Sequence, residues 1–346
     1  MMKIAILTPT FSYHSGIDRV AQQQAEEYVR KGNKVTIFTL QSSIRPKGYK
    51  VMEMGMPASS LLQRLYRLFF FLDRKKMMRY KDLKNFDMII SHFYPMNWLA
   101  YRAKKAYGIQ YVYFDHGINT TGLLDSFLQK IYMKLFLFFN NMTLKNIDEA
   151  FSVSKYLQEV LLEESGIKSK VQYNKIDTKR FNKKISGAAV IKKYKLEKKP
   201  VFLYVGRIAP HKGIHLLIEA FSYVKKKLPN AVLLIAGKPT FPGYFEKLQE
   251  TNTKDVIFAG FVDDKELPSY FAACNVYVSA SQWEGFNLPA AEAQACGKPV
   301  VAFNLGSHPE IVKKGILVKN KDMQAFADAM STLYTNESDK KISKSG

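Results

Sequence analysis

The chain has 346 residues, 47% hydrophobic and 13% aromatic, enough for two domains of roughly 100–200 residues each and too apolar for a disordered protein. No uninterrupted apolar run is longer than Ala231 to Ala236, far short of the roughly 20 residues that span a bilayer, and the start at Met1 leads straight into a strand-like run, so we expect a cytoplasmic protein. The 52 Lys+Arg against 30 Asp+Glu, net +22, favour acidic partners: nucleic acid, an anionic membrane face or phosphorylated ligands.

In chain order, a strand-like run at residues 3–8, an amphipathic stretch at 16–31 and a second run at 34–40 make a βαβ opening, which implies a parallel sheet with helices on both faces. Ser60–Lys81 mixes apolar residues with seven Lys/Arg and one acid. It reads either as a helix lying in an anionic interface or as a core-facing helix with a solvated basic face. Further strands are expected at 86–91, 110–115 and 149–153. Between Asn174 and Lys199 ten Lys/Arg and two acids interrupt the periodicity. A second series then runs at 200–205, 231–236, 255–259, 275–279 and 299–303. The expected organisation is an N-terminal doubly wound domain over 1–173, a basic linker over 174–199 and a C-terminal doubly wound domain over 200–346. Cys274 and Cys296 are expected as free thiols in apolar surroundings.

Ligands of such sheets sit at the carboxyl ends of the strands. After the first strand comes His14-Ser15-Gly16-Ile17, where Gly16 either lets backbone approach a phosphate or merely makes a tight turn. His92 and His116, the latter in Phe114-Asp115-His116-Gly117, each follow a strand, and His92 reads better as a hydrogen-bonded core residue. Opening the second series, Val205-Gly206-Arg207-Ile208-Ala209-Pro210-His211-Lys212-Gly213 offers a guanidinium and an ammonium to one phosphate-sized site. In Ser279 to Ala293, Pro289 marks a helix beginning near Leu288, with expected free N–H groups and Gly285 allowing close approach to an anion. Glu284 and Glu292 place carboxylates on either side, suited to a sugar and a ribose diol.

The stretch Glu284-Gly285-Phe286-Asn287-Leu288-Pro289 with Glu292 eight residues after Glu284 resembles the signature of the retaining glycosyltransferases of family four. Asn287 stands where that family has glycine. The resemblance covers about residues 3–335 and includes Val153-Ser154, Asn174 to Asp177 with Arg180-Phe181, Gly306 and Pro309-Glu310. It implies the GT-B fold: two Rossmann-like doubly wound parallel-sheet domains facing a central cleft. It implies transfer of a hexose from a nucleoside-diphosphate sugar to an acceptor hydroxyl, lipid-linked or polysaccharide, with retention of configuration. Glu284 would contact the donor hexose; backbone at Phe286, Asn287 and Leu288 the sugar and phosphates; Glu292 the ribose; Arg207 and Lys212 the diphosphate; Phe261 and Val262 the base. His116 would stand near the reacting sugar and Gly16 near the phosphate or acceptor.

No Asp-x-Asp or His/Cys/Asp cluster with metal spacing is present in the sequence, so no metal or other cofactor is expected. Alternatives are a basic nucleic-acid-binding protein, against which no RNA- or DNA-binding signature is visible, and a GT-B nucleotide-sugar epimerase. Family members continue with a last helix crossing back to the N-terminal domain; here a helical stretch is expected to stop near Tyr334, ahead of a polar end without that helix. Peripheral docking on the cytoplasmic face of an anionic membrane is the expected role of Ser60–Lys81.

Overall fold

The computed structural model describes residues 1–12, 16–44, 46, 48–117, 126–251 and 255–342, without the side chains of 60, 61 and 337–342. The chain divides into two compact units, Met1–Asn174 and Lys175–Gly346.

Unit 1 contains strands β1 (Lys3–Leu7), β2 (Thr10–Phe11), β3 (Lys34–Thr39), β4 (Gln41–Ser42), β5 (Lys50–Glu53), β6 (Met88–Ser91), β7 (Gln110–Asp115), β8 (Glu149–Ser152) and β9 (Lys170–Val171). Its helices are α1 (Gly16–Arg30), α2 (Ser60–Leu68), α3 (Arg74–Met77), α4 (Asn97–Tyr107), α5 (Phe127–Thr143) and α6 (Lys155–Ser165). The main sheet runs β5-β3-β1-β6-β7-β8-β9, all parallel, with its order reversing between β1 and β6. β1 is central, so its apolar residues divide between two cores: Ala5 and Leu7 enter one, Ile4 and Ile6 the other. This is why it reads as a continuous apolar run and not as an alternating one.

Unit 2 contains β10 (Val201–Val205), β11 (Val232–Ala236), β12 (Val256–Gly260), β13 (Val276–Ser279), β14 (Val300–Phe303) and β15 (Gly315–Val318). Helices α7 (Ala188–Tyr194), α8 (Ile214–Lys227), α9 (Pro242–Glu250), α10 (Leu267–Ala273), α11 (Leu288–Ala295), α12 (His308–Ile311) and α13 (Met323–Ile342) complete it. The parallel order is β12-β11-β10-β13-β14-β15, reversing between β10 and β13, and a separate apolar core covers each face.

Two expectations change. From Lys175 onward the basic stretch 174–199 is an integral part of unit 2 and not a linker: Phe181, Val190 and Leu196 enter its core, and Arg180 pairs with Asp264 at 2.9 Å. Its charges lie outside an apolar minority that does the packing. The final helix also passes Tyr334 and ends at Ile342, with Phe326, Ala327 and Met330 buried in the core that includes α8.

Candidate functional site

In unit 2 the order reversal between β10 and β13 opens the crevice where doubly wound sheets hold ligands. β10 leads to Gly206 and the exposed Arg207, whose carbonyl accepts from Tyr204 Oη at 3.0 Å. A 3-10 turn, Pro210–Lys212, ends at Gly213, where φ is +63°. An added Cβ there would overlap the carbonyl oxygen of Ala280, so glycine alone allows the turn to lie against the end of β13. The backbone N–H of Gln282 donates to His211 O at 2.8 Å.

This packing brings Lys212 to Glu284: Nζ donates to Oε1 at 2.7 Å, with the two side chains only 15% and 12% exposed. Burial by itself would raise the Glu284 pKa, but the Lys212 ammonium, His308 and the Ser281 hydroxyl outweigh it and hold the carboxyl below its ordinary value. Glu284 is therefore an ionised, buried carboxylate. Its backbone is held from the other side, because Ser307 N donates to Glu284 O at 3.1 Å and Gly306, φ +56°, lets that loop approach. His211 stands beside Lys212 and Arg207; burial first, then those two cations, lower its pKa to about 4, so its imidazole is neutral.

The start of α11 differs from its expected role as a row of free N–H donors. Leu288 N donates to Phe286 O at 3.0 Å, Pro289 has no N–H, and Ala290 N donates to Asn287 Oδ1 at 3.1 Å. The first turn is thus satisfied internally and retains only its dipole toward an anion. Asn287 is the N-cap. Its Nδ2 also bonds Ser279 Oγ at 3.1 Å and His308 Nε2 at 3.0 Å. With His308 Nδ1 facing Phe303 O at 2.8 Å, the ring donates from Nδ1 and accepts at Nε2. The side chain that replaces glycine here is consumed inside the protein.

Glu292 is buried on α11. Tyr277, whose hydroxyl donates to Val205 O at 3.3 Å, has its pKa raised by burial first and then by Tyr204, Glu284 and Glu292, which places both carboxylates within its field. Gly285 and Phe286 form the turn between Glu284 and the Asn287 cap, and Leu288 opens α11. Phe261 and Val262 follow β12, two strands from β10, with Phe261 exposed and Val262 packed on the core. Their loop adjoins the others through Gly237 N, which donates to Gly260 O at 2.8 Å.

In unit 1, His14 and Ser15 lie outside the described residues, and Gly16 begins α1 with an exposed backbone. Sequence reading passed over Asp18, two residues on. Its carboxylate accepts from Ser12 N at 2.9 Å, Ser12 Oγ at 3.0 Å and Thr10 Oγ at 3.0 Å, tying the segment after β1 to the first turn of α1. Burial raises its pKa to about 6 against these hydrogen bonds. The alternating hydroxyls of Thr8, Thr10 and Ser12 were the available signal.

His92 and His116, following the adjacent strands β6 and β7, stack at 5.2 Å, with Nδ1 of His92 2.9 Å from Nε2 of His116. His92 Nε2 faces Gln24 Oε1 at 3.1 Å. With that oxygen accepting, His92 donates from Nε2, so His116 must donate from Nε2 and carry its lone pair on Nδ1. Burial lowers both imidazole pKa values, that of His116 to about 3, so both are neutral. Next to them burial raises Asp115 to about 7, despite a hydrogen bond from Gly117 N. Among the described residues no group of three His, Cys, Asp or Glu side chains is arranged to hold a metal ion.

Two doubly wound parallel sheets, one with a charge-paired carboxylate at its switch point, define a chain of two Rossmann-like units. Residues 14–180 match the model of Glycosyltransferase Family 4 and residues 188–346 that of Glycosyl transferases group 1, and the chain belongs to this family. Over 171 residues it is 30% identical to the GDP-mannose-dependent alpha-(1-6)-phosphatidylinositol monomannoside mannosyltransferase of Mycobacterium tuberculosis, covering 46% of this chain and 44% of that protein. Relatives at this identity or above are matched over about half of their own length or less. The sucrose-phosphate synthase of Thermosynechococcus elongatus superposes with a TM-score of 0.81 at 22% identity, covering 98% of this chain and 91% of that one. Anabaena Alr3699/HepE in complex with UDP-glucose does so with a TM-score of 0.77 at 20% identity, over 97% and 91%. The fold is GT-B.

Proposed function

We propose that the protein transfers a hexose from a nucleoside-diphosphate sugar to an acceptor hydroxyl, with retention of configuration. The observation that carries this reading is the buried Lys212–Glu284 pair at the β10/β13 switch point, 2.7 Å between charged atoms. One of the three Lys212 donors serves Glu284, leaving the others to a phosphate oxygen, while Arg207 approaches the same diphosphate from the end of β10. Glu284 then accepts from hexose hydroxyls, Glu292 from the ribose diol, and Phe261 and Val262 flank the base. Backbone at Gly285, Phe286 and Asn287 would meet the sugar and phosphates, with Leu288, its N–H already given to Phe286 O, contributing only through the helix dipole, and Gly16 would meet the phosphate or acceptor. His116, donating to His92, offers its Nδ1 lone pair to a hydroxyl of the hexose.

In this reading the bond between the anomeric carbon and the diphosphate oxygen breaks as the acceptor oxygen bonds on the same face, and the acceptor proton passes to the departing diphosphate. Arg207 and Lys212 neutralise the leaving group, so the reaction requires no metal. The reading is in keeping with the UDP-glucose complex of HepE and the GDP-mannose dependence of the mycobacterial relative.

A thermal-shift panel of UDP-, GDP- and ADP-hexoses tests it. The matched donor at a hundred times its Kd stabilises by about 2.7 kcal/mol. Glu292→Ala should weaken that donor severalfold; an unchanged affinity contradicts the ribose role, and a panel without any binder contradicts the function. Transfer to glycan or lipid-linked acceptors is then followed with the matched donor, and release of free sugar without need of acceptor would identify an epimerase instead.

A further inference from the structure

Helix α5 carries its apolar residues on the outside. Leu128, Ile131, Leu135, Phe138 and Met142 recur every three or four positions, a stripe that in sequence reads as a core face. All five are exposed, Leu128 at 75% and Phe138 at 60%. The opposite side of α5 is the packed one, with Phe136 against Tyr94 and Leu68.

Helix α2 extends this surface. Tyr132 Oη donates to Arg64 O at 3.3 Å, and the Phe69 and Phe139 rings lie 6.3 Å apart, so the two helices are neighbours. Leu62, Leu65 and Phe69 of α2 and its C-cap are exposed beside the α5 stripe.

The charge is one-sided. Neither Ser60–Leu68 nor Phe127–Thr143 contains an Asp or Glu. Exposed Arg64, Lys130 and Lys134 accompany the apolar residues, and Arg74 and Lys75 follow on α3. Lys76, in contrast, is turned inward, its ammonium donating to Gly55 O at 2.9 Å and Tyr66 Oη at 2.8 Å.

From this we infer that the α2–α5 face of unit 1 docks on an anionic bilayer, with the apolar stripe in the headgroup boundary and Arg64, Lys130 and Lys134 at the lipid phosphates. An amphipathic surface with leucine and phenylalanine on one side and cations flanking them is what binds there. A second copy of the chain fits less well, because a two-fold contact through this patch would set its cations against themselves. Among the described residues no helix is long and apolar enough to cross a membrane, so the contact is peripheral. Compared with the reading of Ser60–Lys81 alone, α5 supplies most of the apolar area and Lys76 drops out. The inference is independent of the donor, so vesicle binding and nucleotide-sugar binding can fail separately.

Co-sedimentation with vesicles of phosphatidylcholine, with and without phosphatidylglycerol, tests it. The wild type should partition onto the phosphatidylglycerol vesicles and far less onto phosphatidylcholine alone. Each lysine at the surface contributes about fivefold, so Lys130→Ala/Lys134→Ala should weaken partitioning about 25-fold. Leu128→Ser/Phe138→Ser should abolish it while leaving the circular-dichroism melt unchanged. Lys313→Ala/Lys314→Ala, exposed in unit 2, controls for the overall positive charge and should change it little. Equal partitioning onto both vesicle types, an equal loss in the control pair, or a dimer in lipid-free solution that Leu128→Ser/Phe138→Ser dissolves would each overturn the inference.

Discussion

In unit 2 a buried carboxylate, Glu284, is kept ionised by an ammonium 2.7 Å away; in unit 1 two buried imidazoles, His92 and His116, are kept neutral by burial and joined to each other and to Gln24. Both clusters stand at the carboxyl ends of parallel strands next to an order reversal, yet they respond to different perturbations. A buried ion pair is sensitive to loss of one partner, because the other charge is then stranded. A neutral hydrogen-bonded pair is sensitive to pH, because the unfolded chain takes up protons that the folded one refuses.

Deleting the cation should produce the largest effect. Lys212→Ala leaves Glu284 buried without its counter-charge and should destabilise unit 2 by about 3–5 kcal/mol, read by hydrogen exchange in β10 and β13, and lower transfer by about 10²–10³. Lys212→Arg should recover part of both losses. A change below about 1 kcal/mol would mean that Glu284 finds solvent or another donor.

Next is the turn that presents Lys212. Gly213→Ala forces a side chain into positive φ and onto the Ala280 carbonyl, and should cost at least about 2 kcal/mol, measured by the same exchange. An unperturbed variant would show that the turn need not rest on the end of β13.

Asn287→Ala removes the α11 cap and one partner each of Ser279 and His308, for a loss of about 2 kcal/mol in the thermal melt. A loss of donor affinity with stability intact would instead give the Asn287 side chain a direct role in binding.

Unit 1 supplies the smallest and most pH-bound effect. His116 titrates at about 3 in the fold and near 6.5 when unfolded. Its contribution is present above pH 6.5 and lost as pH falls toward 3, reaching about 2 kcal/mol at pH 5. Asp18 and Asp115, raised to about 6 and about 7, act in the opposite sense: their contribution is full below the unfolded carboxylate range and lost as pH rises through those values. His116→Gln should therefore gain about 2 kcal/mol at pH 5 relative to pH 7, compared with the wild type, in exchange protection of β6 and β7. Parallel pH profiles of variant and wild type would contradict the neutral-imidazole assignment.

How much could be read from sequence follows the same division. β1, β10 and β13 were legible because strands buried on both faces are continuous apolar runs. Arg207, Lys212, Glu284 and Glu292 stood out as candidates because they sit in local stretches with glycine and proline at telling positions, and the structure adds the pairing of Lys212 with Glu284. The 174–199 segment was misread since its lysines outnumber Phe181, Val190 and Leu196, the residues that pack it into unit 2. The filled N–H groups of α11 were hidden because a cap and a tight turn are matters of geometry, and Asn287 resembled a substitution in a binding loop. The His92–His116 contact needed the β6–β7 pairing, which no local pattern reports, and the outward stripe of α5 needed exposure, since its spacing is that of a core helix.

The central claim is that Lys212 and Glu284 divide the donor between them, phosphate and hexose. Isothermal titration of the matched nucleotide sugar and of its nucleoside diphosphate against the wild type, Lys212→Arg and Glu284→Gln tests this most directly. Glu284→Gln should weaken the nucleotide sugar about tenfold or more, as loss of a charge-assisted hydrogen bond implies, and leave the nucleoside diphosphate nearly unchanged, while Lys212→Arg alters both together. Equal loss of both ligands in Glu284→Gln would contradict the account and make the carboxylate merely the anchor of Lys212.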